Sequence, residues 1–91
     1  MPKLKAYNTP SGTVYQFRCP GCDAARHSVN ATWKFNGNME APTFSPSILV
    51  TGGGDSSYRC HSFVEDGKIR FLQDCSHTLA GKTVDLPEWT D

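Results

Sequence analysis

One turn and four cysteines constrain this chain more than any other feature in it. Asp66-Gly67 separates two strand-like runs, Tyr58 to Glu65 and Lys68 to Cys75. Glycine accepts the positive φ that tight hairpin turns need, so the pair predicts a β-hairpin. A two-residue turn sets Glu65 opposite Lys68, Phe63 opposite Arg70, Cys60 opposite Gln73 and Tyr58 opposite Cys75. Strict alternation then puts Cys60 and Cys75 on one sheet face and His61 and Phe63 on the other. The open end of the hairpin gathers these two thiols with the imidazoles of His61 and His77.

A second pair of thiols lies upstream. Thr13 to Arg18 reads as a strand that runs into Cys19-Pro20-Gly21-Cys22. Proline fixes φ and glycine permits the reversal, so two thiolates can face one ion. A redox Cys-x-x-Cys would instead open a helix after a strand. Only Asp23 to His27 separate this knuckle from the next strand-like run, which is too short for that. With no export signal, four cysteines read better as metal ligands than as disulfides. The expected cofactor is a structural Zn²⁺ held by Cys19, Cys22, Cys60 and a fourth ligand. Cys75 shares the sheet face of Cys60, whereas His77 has the longer reach, so Cys₄ and Cys₃His both stay open with a slight preference for Cys75. If His77 ligates, Cys75 becomes a small buried residue. His27, five residues after Cys22, is a lesser alternative.

A staple suits a chain of this size. Its 91 residues suggest one domain, residues 1–91, with a thin core, since hydrophobic residues are 37% of it. The nine basic and nine acidic residues cancel, which argues against non-specific nucleic-acid binding driven by charge. There is neither a secretory apolar core after Met1-Pro2-Lys3 nor an apolar run long enough to span a membrane, so the cytoplasm is the expected location.

The rest of the pattern is β. Lys3 to Asn8 suits an edge strand, Ser28 to Phe35 alternates cleanly with Trp33 facing inward, and Ser47 to Thr51 is a short buried strand. Pro42 and Pro46 keep the segment from Ala41 to Ser47 extended. Gly52 to Ser57 is a loop without a phosphate-binding pattern. Ser76 to Gly81 suits one helical turn, and Lys82 to Leu86 a last strand before Pro87, with Trp89 in a polar tail. The expected class is predominantly β: a small zinc-stapled antiparallel domain, sandwich or partial barrel, with at most one short helical turn.

Two further chemistries compete with plainer readings. Asp74 with His61 and His77 admits an acid/base group, but a solvated aspartate at a strand end is the plainer reading. Glu65 and Asp66 sit at the hairpin tip, away from the thiols. No His-Glu-x-x-His or Gly-x-Ser-x-Gly motif is present. The basic residues Arg59, Arg70 and Lys34, interleaved with Trp33, admit a nucleic-acid surface. Zero net charge favours an ordinary polar face instead.

Several strings carry a resemblance over roughly residues 15 to 89. They are Pro42-Thr43-Phe44-Ser45-Pro46-Ser47, Cys60-His61-Ser62-Phe63, Asp74-Cys75-Ser76-His77 and Leu79-Ala80-Gly81-Lys82-Thr83-Val84-Asp85-Leu86-Pro87. The chain resembles small bacteriophage- and prophage-encoded proteins of unassigned function, often labelled "ammonia monooxygenase". Ammonia oxidation is work for a copper-containing membrane complex, and neither a membrane segment nor a copper-like tract occurs here, so that activity is rejected. The resemblance implies a phage origin and an accessory role. The sequence reading is thus a non-catalytic, zinc-stabilised module that binds a host or phage protein. A nucleic-acid-binding zinc module or a virion component is the alternative, and no small-molecule substrate is evident.

Overall fold

Alternation of buried and exposed side chains, with no helical periodicity, runs through the chain. Among residues 2–52 and 58–90, which the computed structural model describes, it yields antiparallel strands and one 3-10 turn. β1 (Lys5–Thr9), β2 (Gly12–Cys19) and β3 (Ala25–Val29) form a meander in the order β1-β2-β3. The 3-10 turn Pro20–Cys22 lies between β2 and β3. β4 (Lys34–Phe35) and β5 (Phe44–Ser45) make a two-stranded ribbon. β6 (Ile48–Thr51), β7 (Arg59–Glu65), β8 (Lys68–Phe71) and β9 (Thr83–Asp85) form a sheet in the order β6-β7-β8-β9. The fold class is as the sequence implies: mostly β, antiparallel, with a single short helical turn and a clustered set of cysteines and histidines.

The hairpin forms in its expected register. Asp66 and Gly67 have φ of 50° and 77°, the paired positive values of a type I′ turn. Glu65 faces Lys68 and Phe63 faces Arg70. Along β7 the buried residues are Cys60, Ser62 and Val64, while Arg59, His61, Phe63 and Glu65 look outward to differing degrees. The inner faces of the two larger sheets share one core, with Phe17 and Val29 from one and Ile48, Val64, Ile69 and Phe71 from the other. Phe44 of β5 joins it and stacks on Phe35 at 4.8 Å between ring centroids.

Several local expectations give way to side-chain hydrogen bonding. The run from Ser28 to Phe35 is broken, because Asn30 Oδ1 accepts from the Thr32 amide at 2.9 Å and the Trp33 amide donates back to the Asn30 carbonyl at 3.2 Å. This Asx-type turn competes with the ladder. β3 therefore starts earlier, at Ala25, and Trp33 turns its indole N–H to the Pro46 carbonyl at 3.1 Å. The extended pairing of Cys60 with Gln73 and Tyr58 with Cys75 does not form. β8 ends at Phe71, and a turn closed by Cys75 N–H to Leu72 C=O, 3.2 Å, carries the chain aside. Residues 76–81 make two successive turns, not a helix: Ala80 donates to His77 C=O at 3.2 Å and Lys82 to Leu79 C=O at 3.0 Å. Trp89 is no loose tail residue. It is buried, with the guanidinium of Arg18 4.9 Å and that of Arg26 5.7 Å from its ring centroid. The glycine-rich loop was expected over Gly52 to Ser57, and residues 53–57 of it lie outside the described residues.

Candidate active site and metal centre

Strand β7 organises the chemistry through its alternation. Cys60 faces the core, and His61, the next residue, faces the opposite way. Two distinct groups of side chains therefore meet on one strand.

On the inner face, the ligand atoms of Cys19, Cys22, His27 and Cys60 all lie within 4.8 Å of one another. Cys19 and Cys60 Sγ are 3.7 Å apart, and His27 Nε2 is 3.2 Å from Cys22 Sγ. The Cys19–Cys60 separation matches the edge of a tetrahedral shell, about 3.8 Å for Zn–S bonds near 2.3 Å. Each residue arrives for a local reason. Cys19 ends β2, and the Pro20–Cys22 turn swings Cys22 back beside it. The left-handed residues Asp23 and Ala24, φ 57° and 62°, then reverse the chain into β3, where Phe17 faces His27 across the ladder and meets its imidazole edge-on. The contact with Cys60 holds the pKa of Cys19 well below the ordinary thiol value, against the effect of burial, and the same contact pushes that of Cys60 up. Burial raises that of Cys22. Tyr58 donates its phenol to Cys22 Sγ at 2.6 Å.

Cys75 and His77 form a second group with Cys60. Their partners differ from those of the first group. His77 accepts the Leu79 amide at Nδ1, 3.2 Å, and its Nε2 lies 3.4 Å from Cys60 Sγ. Gly21 faces its ring so closely that a Cβ there would overlap it. Cys75 Sγ accepts from the His61 amide at 3.2 Å and donates to the His61 carbonyl at 3.1 Å. It thus grips the main chain of His61 from the side.

On the outer face lies a hydrogen-bonded chain of three residues. Ser47 Oγ is 3.0 Å from His61 Nε2, and His61 Nδ1 is 3.2 Å from Asp74 Oδ2. Ser47 immediately precedes β6, His61 sits opposite Leu49 of that strand, and Asp74 comes from the turn after β8. Asp74 Oδ2 also accepts from Arg59 Nη1 at 3.2 Å. The His61 contact is the main influence that lowers the pKa of its carboxyl, with Arg59 adding to it. With the imidazole proton on Nδ1 and aimed at Asp74, Nε2 is left to accept the Ser47 hydroxyl proton. Asp74-Cys75-Ser76 closes the open edge of β7, since Ser76 Oγ bonds both the amide and the carbonyl of Arg59, at 2.9 and 3.1 Å.

The residues weighed as a nucleic-acid surface are dispersed. Arg59 is engaged by Asp74, and Arg70 reaches Glu65 at 3.4 Å and lies 4.7 Å from the Phe63 ring centroid. Trp33 points at Pro46, and Lys34 sits exposed on β4. Sequence reasoning groups Asp74 with His61 and His77 but gives Ser47 no catalytic role. Nothing in Pro46-Ser47-Ile48 marks a nucleophile until β6 and β7 are set side by side.

A serine, a histidine and an aspartate joined in this order define the class of serine hydrolases, recognised by geometry and not by position in sequence. A family model described as bacterial ubiquitination-like system serine protease (BubE) matches residues 3–72, and the chain belongs to this family. The match covers Ser47 and His61, and Asp74 falls just beyond it. Searches of curated proteins and of solved structures gave no match. The family overturns the likeness to phage-encoded proteins and the reading as a non-catalytic binding or nucleic-acid module, because its members are described as bacterial proteases. Strand parity does place His61 on the face opposite Cys60. The error lay in taking that outward face for inert surface.

Proposed function

We propose that this protein is a serine protease acting on a protein of a bacterial ubiquitination-like system. Ser47 is the nucleophile, His61 the general base and Asp74 the residue that orients it. The Ser47–His61–Asp74 hydrogen-bonded chain is the observation that carries the reading. In acylation the Ser47 hydroxyl proton passes to His61 Nε2 as Oγ bonds the scissile carbonyl carbon. His61 returns that proton to the leaving amine as the C–N bond breaks. Water, deprotonated by the same nitrogen, then splits the acyl-enzyme and restores Ser47. Asp74 stabilises the imidazolium in both halves without taking its proton. Arg59 holds the carboxylate in line.

The inner cluster is a structural zinc site with Cys19, Cys22, Cys60 and His27 as ligands. When bound, the metal supplies cross-linking between β2, β3 and β7 and no chemistry at the triad. His27 is favoured over His77 for a specific reason. Leu79 N–H occupies His77 Nδ1, so in the neutral ring Nε2 carries the proton and donates to Cys60 Sγ in place of coordinating. Cys75 is engaged with the His61 peptide instead.

The test is cleavage of the ubiquitin-like modifier of such a system, carried as a fusion to a reporter, by wild type, Ser47→Ala and His61→Ala. Wild type should cleave, and either variant should lose about 10³-fold or more. Equal cleavage by Ser47→Ala would refute the assignment.

A further inference from the structure

The geometry points to the outer edge of β6, which no described strand pairs, as the substrate-binding strand of this protease, with Leu49 as the apolar subsite that selects what binds there. The inference rests on the assignment of Ser47 as nucleophile and goes on to name the substrate form: an extended peptide segment with an apolar side chain close to the scissile bond.

The amide of His61 points to Cys75, and its carbonyl accepts from Cys75 and from Leu72 N–H at 2.9 Å. Arg59 directs both its main-chain groups at Ser76. Residues 59 and 61 therefore turn away from β6, and the pairs Leu49↔His61 and Thr51↔Arg59 exchange no ladder bonds. The ladder must run through Ile48↔Ser62 and Val50↔Cys60. By alternation the N–H and C=O of Leu49 and Thr51 point to the opposite side of β6. That strand lies at the margin of its sheet, so no strand of the sheet meets those groups. Such an edge pairs with an extended peptide.

Three observations make the occupant the substrate. The edge begins one residue after the nucleophile, so a chain lying along it passes Ser47 Oγ. The Leu49 side chain shares the outer face with its cross-strand neighbour His61, which places it beside the triad. It is also 52% exposed, although its neighbour Ile48 is buried. An apolar side chain left open next to a catalytic histidine suits a substrate side chain that covers it. The substrate residue opposite Leu49 lies two positions from the one opposite Ser47, on the same face.

The experiment profiles cleavage of a proteome-derived peptide library by mass spectrometry, with wild type, Leu49→Ser, Leu49→Asp and Ser47→Ala. Each rate is referred to that variant's own labelling rate with a small fluorophosphonate, which reports Ser47 reactivity without needing an extended ligand. Wild type should favour cleavage with an apolar residue about two positions from the broken bond, and the serine variant should reduce that preference about tenfold. The aspartate variant should reverse it. N-methylation of the peptide bond at the residue opposite Leu49 in the best substrate should reduce turnover by a similar factor. An unchanged profile in both Leu49 variants would overturn the inference. So would a wild type that takes the fluorophosphonate but cleaves no library peptide. A wild type that is not labelled, or a Ser47→Ala variant that cleaves equally, would instead defeat the protease reading itself.

Discussion

On the zinc assignment proposed above, withdrawing the metal should unfold this protein outright. The inner cluster joins Cys19 and Cys22 beside β2, His27 on β3 and Cys60 on β7, and so ties the three-stranded sheet to the four-stranded one. A chain of 91 residues has a total stability of roughly 5–14 kcal/mol at about 0.05–0.15 kcal/mol per residue. A structural zinc site contributes about 10–16 kcal/mol of apparent folding free energy near neutral pH. The two ranges overlap, and through most of their span the second equals or exceeds the first, so the metal-free chain should sit near or below the midpoint of unfolding. The chemistry of the cluster points the same way, because Cys19 and Cys60 bring two buried thiols to within 3.7 Å of each other, an arrangement that a bound cation would stabilise. Cys60 is also one peptide bond from His61, so the triad should fail with the fold. The assay titrates reduced protein with a strong chelator while following metal content, near-ultraviolet circular dichroism from Trp33 and Trp89, and fluorophosphonate labelling. All three should fall together. A metal-free protein that keeps its thermal midpoint and its labelling rate would refute the reasoning.

Other outcomes follow from single contacts. His27→Ala should lower the metal stoichiometry of purified protein, whereas His77→Ala should leave it near that of wild type; the reverse pattern, by elemental analysis, would exchange their roles. Cys75→Ala removes both bonds to the His61 peptide and should lower kcat about 5- to 10-fold, while Cys75→Ser, which retains a donor and an acceptor, should recover most of it. Neither should lose metal, and metal loss in Cys75→Ser would make Cys75 a ligand after all. Asp74→Asn should lower kcat by about 10²–10⁴ with KM little changed, and a matching rise in KM alone would argue for a substrate contact instead. The Lys68–Asp85 pair, 2.8 Å apart, holds the Asp85 carboxyl below its ordinary 3.8. That contribution is present above the ordinary value and lost as pH falls through the lowered one. The wild-type advantage in melting temperature over Asp85→Asn should therefore be small near neutrality and vanish in acid; a gap that widens in acid would contradict the sign.

Much of the scaffold is legible in local sequence. The Asp66-Gly67 turn dictates both its own geometry and the register of Phe63 against Arg70, since little else satisfies two positive φ values in succession. The Cys19-to-Cys22 knuckle is equally local. What failed required contacts distant in sequence or competition between hydrogen-bond partners. Asn30 offered the backbone a turn that the apolar alternation around it concealed. The turn at Leu72 moved Cys75 from the expected register to the side of His61. The triad draws one residue from each of three segments, and Ser47 lies in a proline-rich stretch that reads as plain extended chain. Period-two alternation did carry the decisive hint, because it sends Cys60 and His61 to opposite faces. It could not say that Ser47 and Asp74 would meet His61 on the outer one.

The central claim is that Ser47 is a nucleophile activated by His61. Its most direct test is reaction of the metal-replete protein with a fluorophosphonate, followed by intact-mass measurement and peptide mapping. A single adduct on Ser47, absent in Ser47→Ala and formed far more slowly in His61→Ala, is the predicted result. No adduct, or one on another residue that persists in Ser47→Ala, would contradict it.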